Sequence, residues 1–276
     1  MRSAVLAVVM LGACGDNELP QLCPHAAPHR PAPPAFEDVR FVAHAFGSPS
    51  GLQQREHYTE SREAFDVSYH NGFVAYEIDL LELGDGTVVA AHDQAEAEYG
   101  LDRPFSSLTR AEVEGRRWKG QYPVLFAEDV VRIVAEHPDI WLIMDTKCCH
   151  EDINRRLVEL APDDSVRDRL VPHVTGFEHA DALGTIWPFK EKLYARYWWG
   201  GTDDEVVERM TTYGIDNVMM WWDEHPGAEW SPRLQVAMAN AGYHVWVHTP
   251  EDPATIEEFV AGGVGVYTNG YIDCTN

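Results

Sequence analysis

The chain has 276 residues, of which 45% are apolar and 24% are charged. This length and composition are typical of one globular domain with a short appendage, or of two small domains, and they exclude a chain that is disordered throughout. Its longest apolar run, Ala4 to Cys14, is too short for the roughly 20 residues of a membrane-spanning helix. Twenty-one basic and 45 acidic side chains leave a formal charge of -24, which would repel nucleic acid, so no nucleic-acid partner is expected. An anionic substrate would therefore need a local cation at its site, and a bound divalent metal is the usual one.

The N-terminus is typical of a lipoprotein export signal. Residues 1–13 carry Arg2 ahead of an apolar stretch, and Leu11-Gly12-Ala13-Cys14 resembles a bacterial lipobox, in which the cysteine is alkylated by diacylglycerol. A chance cysteine after an ordinary signal is the alternative. We expect lipidation at Cys14, a proline-rich extended tether over residues 14–38, and a bacterial cell-envelope lipoprotein held at a membrane in the periplasm or at the cell surface.

Residues 39–276 alternate short apolar strands with segments of helical period, which indicates parallel strands joined by crossover helices. The predicted strands are Phe41 to Ala45, Val74 to Leu80, Ile140 to Asp145, Leu170 to Val174, Leu193 to Tyr197, Asn217 to Trp221, Tyr243 to His248, and Val264 to Thr268. The predicted helices are Ser61 to His70, Ala127 to Glu136, Glu151 to Leu160, Asp204 to Tyr213, Arg233 to Asn240 and Ala254 to Ala261, with a weaker crossover around His179 to Phe189.

A turn interrupts this alternation after the second strand. Gly84-Asp85-Gly86 predicts a tight turn, and Thr87 to Ala91 predicts a strand that returns antiparallel to the second one. Without this excursion, eight βα units remain, as in a TIM (β/α)8 barrel. An open doubly wound sheet is the alternative, but no G-x-G-x-x-G or Walker-type loop supports it. The predicted fold is α/β, a TIM barrel with a small β-hairpin excursion after strand 2.

Four further cysteines would lie in an oxidising compartment, where disulfides are favoured, and no C-x-x-C pair indicates a zinc site. Cys148 and Cys149 follow the third strand and Cys274 follows the eighth, which places all three at the same end of a barrel. Adjacent cysteines rarely bond to one another. We therefore expect one of the adjacent pair to bind Cys274 and the other to bind Cys23.

Polar residues end the first strands of the predicted barrel, where such folds carry their chemistry. These residues are His44, Glu77, Asp79, His92, Asp145 and Lys147. Glu77 and Asp79 share one face of the second strand, because side chains alternate along a strand, and their mutual repulsion favours a cation between them. Asp145 offers a third oxygen ligand and Lys147 a fixed positive charge, so the set suits Mg²⁺ or Ca²⁺ holding a phosphate. Each motif alone is more typical of a solvated face, a structural histidine or a surface ion pair, but their common placement favours a site.

The motifs resemble those of the glycerophosphodiester phosphodiesterases, within the phosphatidylinositol phospholipase C-like barrel superfamily. The residues that carry the resemblance are His44-Ala45-Phe46-Gly47, Glu77-Ile78-Asp79, Gly84-Asp85-Gly86, Val88 to His92-Asp93, Asp145-Thr146-Lys147, and Gly265 to Asn269. The resemblance covers essentially all of Val39 to Ile272. Its most specific part is the Glu-x-Asp pair followed, after the Gly-Asp-Gly turn, by His-Asp.

The resemblance implies a role for each of these positions. His44 and His92 match the two catalytic histidines, one a general base and the other the acid for the leaving alkoxide, and imidazole suits both duties. The implied ligands of one divalent cation, Mg²⁺ or Ca²⁺, are Glu77, Asp79 and Asp145. The third ligand is usually Glu in this family, while the related sphingomyelinase D branch has Asp. Lys147 matches a lysine near the phosphate.

The sequence departs from the family's pattern at three places. The usual His-Arg-Gly is His44-Ala45-Phe46, so an arginine expected to clamp the phosphate is missing, and lysine does not reproduce its fork of donors. The usual Glu-Asn-Thr before the first helix is Thr59-Glu60-Ser61. The strand that commonly ends in Trp-Thr has His248-Thr249, with Trp246 two residues earlier on the same face. We expect Trp246 and His248, together with Lys147, to contact the substrate.

The activity that the resemblance implies is metal-dependent hydrolysis of glycerophosphodiesters to a phosphomonoester, glycerol phosphate, and an alcohol. The expected substrate is a small-molecule phosphodiester. One alternative is a phospholipase or sphingomyelinase D-like enzyme acting on intact lipids, which Tyr197-Trp198-Trp199 and Trp221-Trp222 leave open. Another is a non-catalytic lipoprotein that binds a small anion. The presence of both histidines and all three carboxylates argues against a non-catalytic protein.

Overall fold

The computed structural model describes residues 22–24, 30–196, 201–222, 238 and 240–274. Three of the sequence predictions lie wholly or largely outside these residues: the lipobox ending at Cys14, the Tyr197-Trp198-Trp199 segment, and the helix predicted from Arg233 to Asn240. Within the described ranges, no helix combines the length and the apolar character needed to cross a membrane.

Eight parallel strands close into a barrel, which confirms the predicted fold. In spatial order they are β1 (Phe41–Ala43), β2 (Ala75–Glu82), β7 (Trp141–Thr146), β8 (Leu170–Val174), β9 (Leu193–Ala195), β10 (Asn217–Trp221), β11 (His244–His248) and β12 (Gly265–Thr268). The last strand pairs with the first through Val42 and Tyr267. Strand β1 ends earlier than predicted because His44–Phe46 forms a 3-10 turn, with Ala45 at a φ of 51°.

Helices lie between these strands. They are α1 (Arg62–Asn71), α2 (Arg110–Val113), α3 (Ala127–Glu136), α4 (His150–Leu160), α5 (Asp164–Arg167), α6 (Phe177–Ile186), α7 (Asp203–Tyr213) and α8 (Pro253–Ala261), and all but α2 cover the outside of the barrel. Helix α1 shows why they form where predicted. The Ser61 side chain accepts a hydrogen bond from the Ala64 N–H at its start, and Gly72 takes the left-handed conformation at its end.

The interior of the barrel is apolar at the amino ends of the strands and polar at their carboxyl ends. Phe36 closes the amino end: it is 1% exposed, and its ring lies 5.5 Å from that of Trp141 and 5.2 Å from that of Trp246. The Trp141 indole N–H also donates to the carbonyl of Pro34. The barrel core thus includes part of the segment predicted as tether, because a single aromatic side chain within that proline-rich stretch fills the end of the barrel.

The excursion after β2 is larger than the predicted hairpin. Strand β3 (Val88–Ala90) does return antiparallel to β2, and it pairs in turn with β6 (Leu125–Phe126). Between them lie the 3-10 turns Glu96–Tyr99 and Phe105–Ser107, helix α2, and the short pair β4 (Arg117–Trp118) and β5 (Tyr122–Pro123). This segment buries a small core of its own that includes Tyr99, Phe105 and Trp118. The sequence pattern did not show it because these elements are too short to have a helical or strand period.

The cysteine pairing predicted from the sequence is wrong. Cys23 and Cys274 form a disulfide with each other, and Cys148 and Cys149 are not disulfide-bonded. The Cys23 N–H donates to Oδ1 of Asn71, the last residue of α1, so the disulfide lies toward the amino end of the barrel. The prediction assumed that the chain stays at the carboxyl end after the eighth strand, whereas the C-terminal segment returns along the outside.

Candidate active site

Three buried carboxylates meet on neighbouring strands at the carboxyl end of the barrel. Asp79 of β2 and Asp145 of β7 are register partners in the parallel pair, so their side chains project to the same side. Glu77 lies one alternation earlier on β2. None of the three is more than 5% exposed, and one oxygen from each lies within 4.8 Å of the others. The structure therefore brings the three predicted metal ligands together.

A cation also lies at this cluster. The Lys147 Nζ is 2.6 Å from Oδ1 of Asp79 and 2.7 Å from Oδ2 of Asp145. His173, on β8, approaches the other side of Asp145, with Nδ1 3.3 Å from Oδ1. Burial alone would raise the pKa of Asp145, but His173 and Lys147 hold it well below its ordinary value. Asp145 is therefore ionised.

The pKa of Glu77 shifts in the direction opposite to that of Asp145. Burial, followed by the charges of Asp79 and Asp145, raises the pKa of Glu77 well above its ordinary value. Its Oε2 accepts a hydrogen bond from the Ala45 N–H, while among the described residues its buried Oε1 has no donor. An orphaned oxygen within a set of three acidic ligands fits a hard divalent cation, which would stabilise all three in the ionised form.

A fourth buried acid, Glu60, was noted in the sequence only as a departure from the family's pattern. It is fully buried before α1, and burial, Asp79 and Glu77 raise its pKa well above the ordinary value. The protonated form can donate a hydrogen bond to Asp79. Glu60 lies in a loop and not at the end of a strand, so the sequence pattern did not assign it to the site.

His44 is fixed at the end of β1 by a side chain from the end of β12. Its Nδ1 lies 2.8 Å from Oδ1 of Asn269, and its Nε2 lies 3.9 Å from Oε2 of Glu77. Burial outweighs the opposing effect of Asp79 and lowers the pKa of His44 to about 4. His44 is therefore neutral near pH 7, and its Nε2 can accept a proton.

His92 reaches the site from the excursion. The Ala91 N–H donates to the carbonyl of Asp79, which directs the returning chain to the mouth of the barrel. His92 is 35% exposed, and its Nδ1 lies 2.6 Å from the carbonyl oxygen of Asp93. The Tyr58 ring lies edge-on between the two histidines, with centroid distances of 4.8 Å to His44 and 4.7 Å to His92.

A cavity of about 530 Å³ opens onto this cluster. Its lining residues are His44, Tyr58, His92, Asp93, Asp145, Thr146, Lys147, His150, Thr175, Trp221 and His248. The predicted substrate contacts Lys147 and His248 are among them. Trp246 is not: it is 1% exposed and packs one layer deeper, against Phe36. The alternation of side chains placed Trp246 on the inner face but could not indicate its depth.

Several lining or supporting residues were missed by the sequence analysis. They are Tyr58, His150, His173 and Thr175, and Asn269 was quoted only as part of a motif. His173 and Asn269 could have been found from their positions on or just after barrel strands. Nothing in the sequence around Tyr58 indicates that it meets two histidines, because the loop from 51 to 61 has no regular period.

No family model matches the chain, and no curated protein matches it in sequence. Solved structures do match its fold. A glycerophosphodiester phosphodiesterase from Parabacteroides distasonis has a TM-score of 0.64 at 16% identity, covering 84% of this chain and 93% of that one. One from Thermotoga maritima has a TM-score of 0.63 at 18% identity, with coverage of 84% and 95%. A phosphodiesterase from Oleispira antarctica, in complex with the product sn-glycerol-3-phosphate, has a TM-score of 0.64 at 15% identity, with coverage of 83% and 92%. The chain thus has the barrel fold of the glycerophosphodiester phosphodiesterases over nearly their full length.

Proposed function

We propose that this chain is a metal-dependent phosphodiesterase that cleaves glycerophosphodiesters into glycerol phosphate and an alcohol. The observation that carries the proposal is one cavity lined by Asp145, a lysine and two histidines, with the buried carboxylates of Glu77 and Asp79 clustered beside Asp145. The shared fold supports it. A bound Mg²⁺ or Ca²⁺ would be held by Glu77, Asp79 and Asp145 and would supply a Lewis acid for the phosphoryl oxygens.

The protein's own residues supply the proton transfers and the positioning. His44 is neutral and has Nε2 available, because Nδ1 donates to Asn269, so it acts as the general base. It takes the proton from the nucleophile, which is a water molecule or a neighbouring hydroxyl of the substrate. His92 lies at the more exposed side, where an alcohol can leave, and it protonates the departing oxygen. Lys147 contributes fixed positive charge beside the phosphate.

A phosphodiester panel tests this proposal. The panel contains glycerophosphodiesters with neutral, cationic and anionic alcohols, and vesicles of intact phospholipid or sphingomyelin, each with and without a chelator. We expect turnover of the glycerophosphodiesters, loss of that turnover with chelator, and recovery with Mg²⁺ or Ca²⁺. Faster turnover of intact lipids would favour the phospholipase alternative, and chelator-resistant turnover would contradict the metal assignment.

Two substitutions test the histidine roles in the same assay. His44→Ala and His92→Ala should each lower kcat by about 100-fold or more, and their combined effect should be far from additive. His70→Ala, at the last turn of α1 and the opposite end of the barrel, is the matched control. Near-normal turnover by either single variant would contradict its assignment.

We also propose that the protein is exported and anchored to a membrane through lipidated Cys14. The lipobox and the proline-rich residues that follow it support this. Expression in a bacterium with labelled fatty acid, comparing the wild type with Cys14→Ser, is the test. Label and membrane fractionation should both be lost in the variant. A wild-type chain that takes up no label would contradict the anchor.

A further inference from the structure

The site lacks a phosphate-binding group at the position where the resemblance implies an arginine. That position is Ala45, whose side chain is fully buried and whose N–H donates to Glu77. Lys147, which also lines the cavity, has its Nζ within 2.7 Å of two carboxylates. A phosphodiester in the cavity would therefore need a further donor from another part of the chain.

Tyr58 is placed to be that donor. Its ring contacts those of both His44 and His92, and it lines both the cavity of about 530 Å³ and an adjoining pocket of about 370 Å³. The hydroxyl has no hydrogen-bond partner among the described residues. Burial and the carboxylates of Asp79 and Glu77 raise the pKa of Tyr58 well above its ordinary value, so the group keeps its proton.

The loop that carries Tyr58 is held in place on both sides. The Tyr122 hydroxyl donates to Glu56 at 2.7 Å, and Thr59 and Ser61 share a side-chain hydrogen bond of 2.9 Å. The carbonyl of Thr59 accepts from the Tyr99 hydroxyl at 3.5 Å. Tyr58 itself has a φ of 57°, in the left-handed region that non-glycine residues seldom adopt. Such conformations persist where surrounding contacts hold them, and they are concentrated at binding sites.

We propose that the Tyr58 hydroxyl donates a hydrogen bond to a non-bridging phosphoryl oxygen of the substrate, in place of the missing arginine. This inference rests on the proposed function, since it names a contact of the same phosphodiester. The site would then contact the phosphoryl group through a neutral donor between the two histidines, in addition to Lys147. A phenol does not add positive charge to a cavity in which one histidine must accept a proton and the other must donate one.

Tyr58→Phe tests the inference, because it removes only the hydroxyl and keeps the ring contacts with both histidines. Two quantities are measured at saturating Mg²⁺: kcat/KM on a glycerophosphodiester, and the Kd of inorganic phosphate by calorimetry. Loss of one hydrogen bond to a charged group predicts values about 10- to 100-fold worse for both. Tyr99→Phe is the matched control, since it removes a hydroxyl that only supports the same loop.

The outcomes separate this inference from the proposed function. Phosphate affinity in Tyr58→Phe equal to that of the wild type would overturn the inference, even if the wild type cleaves phosphodiesters. A loss of the same size in Tyr99→Phe would also overturn it, because the effect would then be one of loop support. Turnover increased by Tyr58→Ala would identify Tyr58 as an obstruction and not a donor. A wild type that binds phosphate through Tyr58 but cleaves no phosphodiester would leave the inference standing and contradict the function.

Discussion

The Nδ1 atom of His44 lies 2.8 Å from Oδ1 of Asn269, and this contact joins the end of the first barrel strand to the end of the last. An amide oxygen can only accept, so Nδ1 carries the hydrogen and Nε2 faces the site as an acceptor. The contact thus sets both the orientation and the tautomer of the proposed general base.

Substitution of Asn269 should therefore change the pH profile as well as the rate. Asn269→Ala is expected to lower kcat by about 10- to 100-fold, as for other partners that orient a functional histidine. Asn269→Asp is expected to raise the pKa of His44 from about 4, because a carboxylate stabilises the imidazolium. The acid limb of kcat/KM would then move to higher pH. An unchanged acid limb in Asn269→Asp would contradict the assignment of His44 as the base.

The metal-free protein should lose stability as the pH rises above neutrality. Burial and neighbouring carboxylates raise the pKa values of Glu60 and Glu77 in the folded state, so the folded chain binds more protons than the unfolded chain. Their stabilisation is fully present below about pH 4.3, the unfolded value, and is lost as the pH rises through the folded values.

Glu60→Gln, which keeps the shape without the titration, should flatten this dependence. The measurement is Tm between pH 7.5 and 9 in chelator, a range in which an ordinary histidine, with a pKa of about 6.5, is largely neutral. Exposed Glu63→Gln on α1 is the matched control. Saturating Mg²⁺ should flatten the wild-type curve too, because the cation would stabilise the ionised carboxylates. A wild-type Tm that rises with pH in chelator would contradict this prediction.

His173 should act through Asp145. It is 2% exposed on β8, with Nδ1 3.3 Å from Asp145 and Nε2 3.4 Å from the Tyr267 hydroxyl. A residue that orients a metal ligand typically contributes 10- to 100-fold in metal affinity. We expect His173→Gln to weaken Mg²⁺ or Ca²⁺ binding by about that factor, measured by calorimetry. Tyr267→Phe, which removes only the more distant hydroxyl, should have a smaller effect, and the reverse order would contradict this role for His173.

The disulfide should contribute to stability and not to turnover. Cys23 and Cys274 are separated by 251 residues and lie toward the end of the barrel opposite the cavity. Cys274→Ser should lower the free energy of unfolding by about 2 to 5 kcal/mol and Tm by roughly 4 to 20 °C. The kcat of the folded protein should be unchanged. Cys149→Ser is the matched control, since this thiol forms no disulfide, and an equal loss of Tm there would contradict the pairing.

The sequence by itself determined the barrel and the centre of the site. The number of strands follows from apolar runs separated by helical periods, which are local patterns. The common face of Glu77 and Asp79 follows from the two-residue alternation of a strand. His92 could be placed because a tight turn returns the chain directly to the strand that carries those carboxylates. In each case the residues involved are close in sequence, or they lie at the carboxyl ends of strands, which meet at one end of a closed barrel.

The tertiary structure alone decided which distant residues meet. Tyr58 lies between two histidines, Phe36 fills the amino end of the barrel, and Cys23 reaches Cys274. Each of these contacts depends on the path of an irregular segment, and such a path follows from packing and hydrogen bonds with no repeating pattern of residues. The sequence also left undecided how deep each inward-facing side chain lies in the barrel. Trp246 and His248 share a face, but only His248 reaches the cavity. Alternation fixes the direction of a side chain, whereas its depth depends on the stagger of all eight strands.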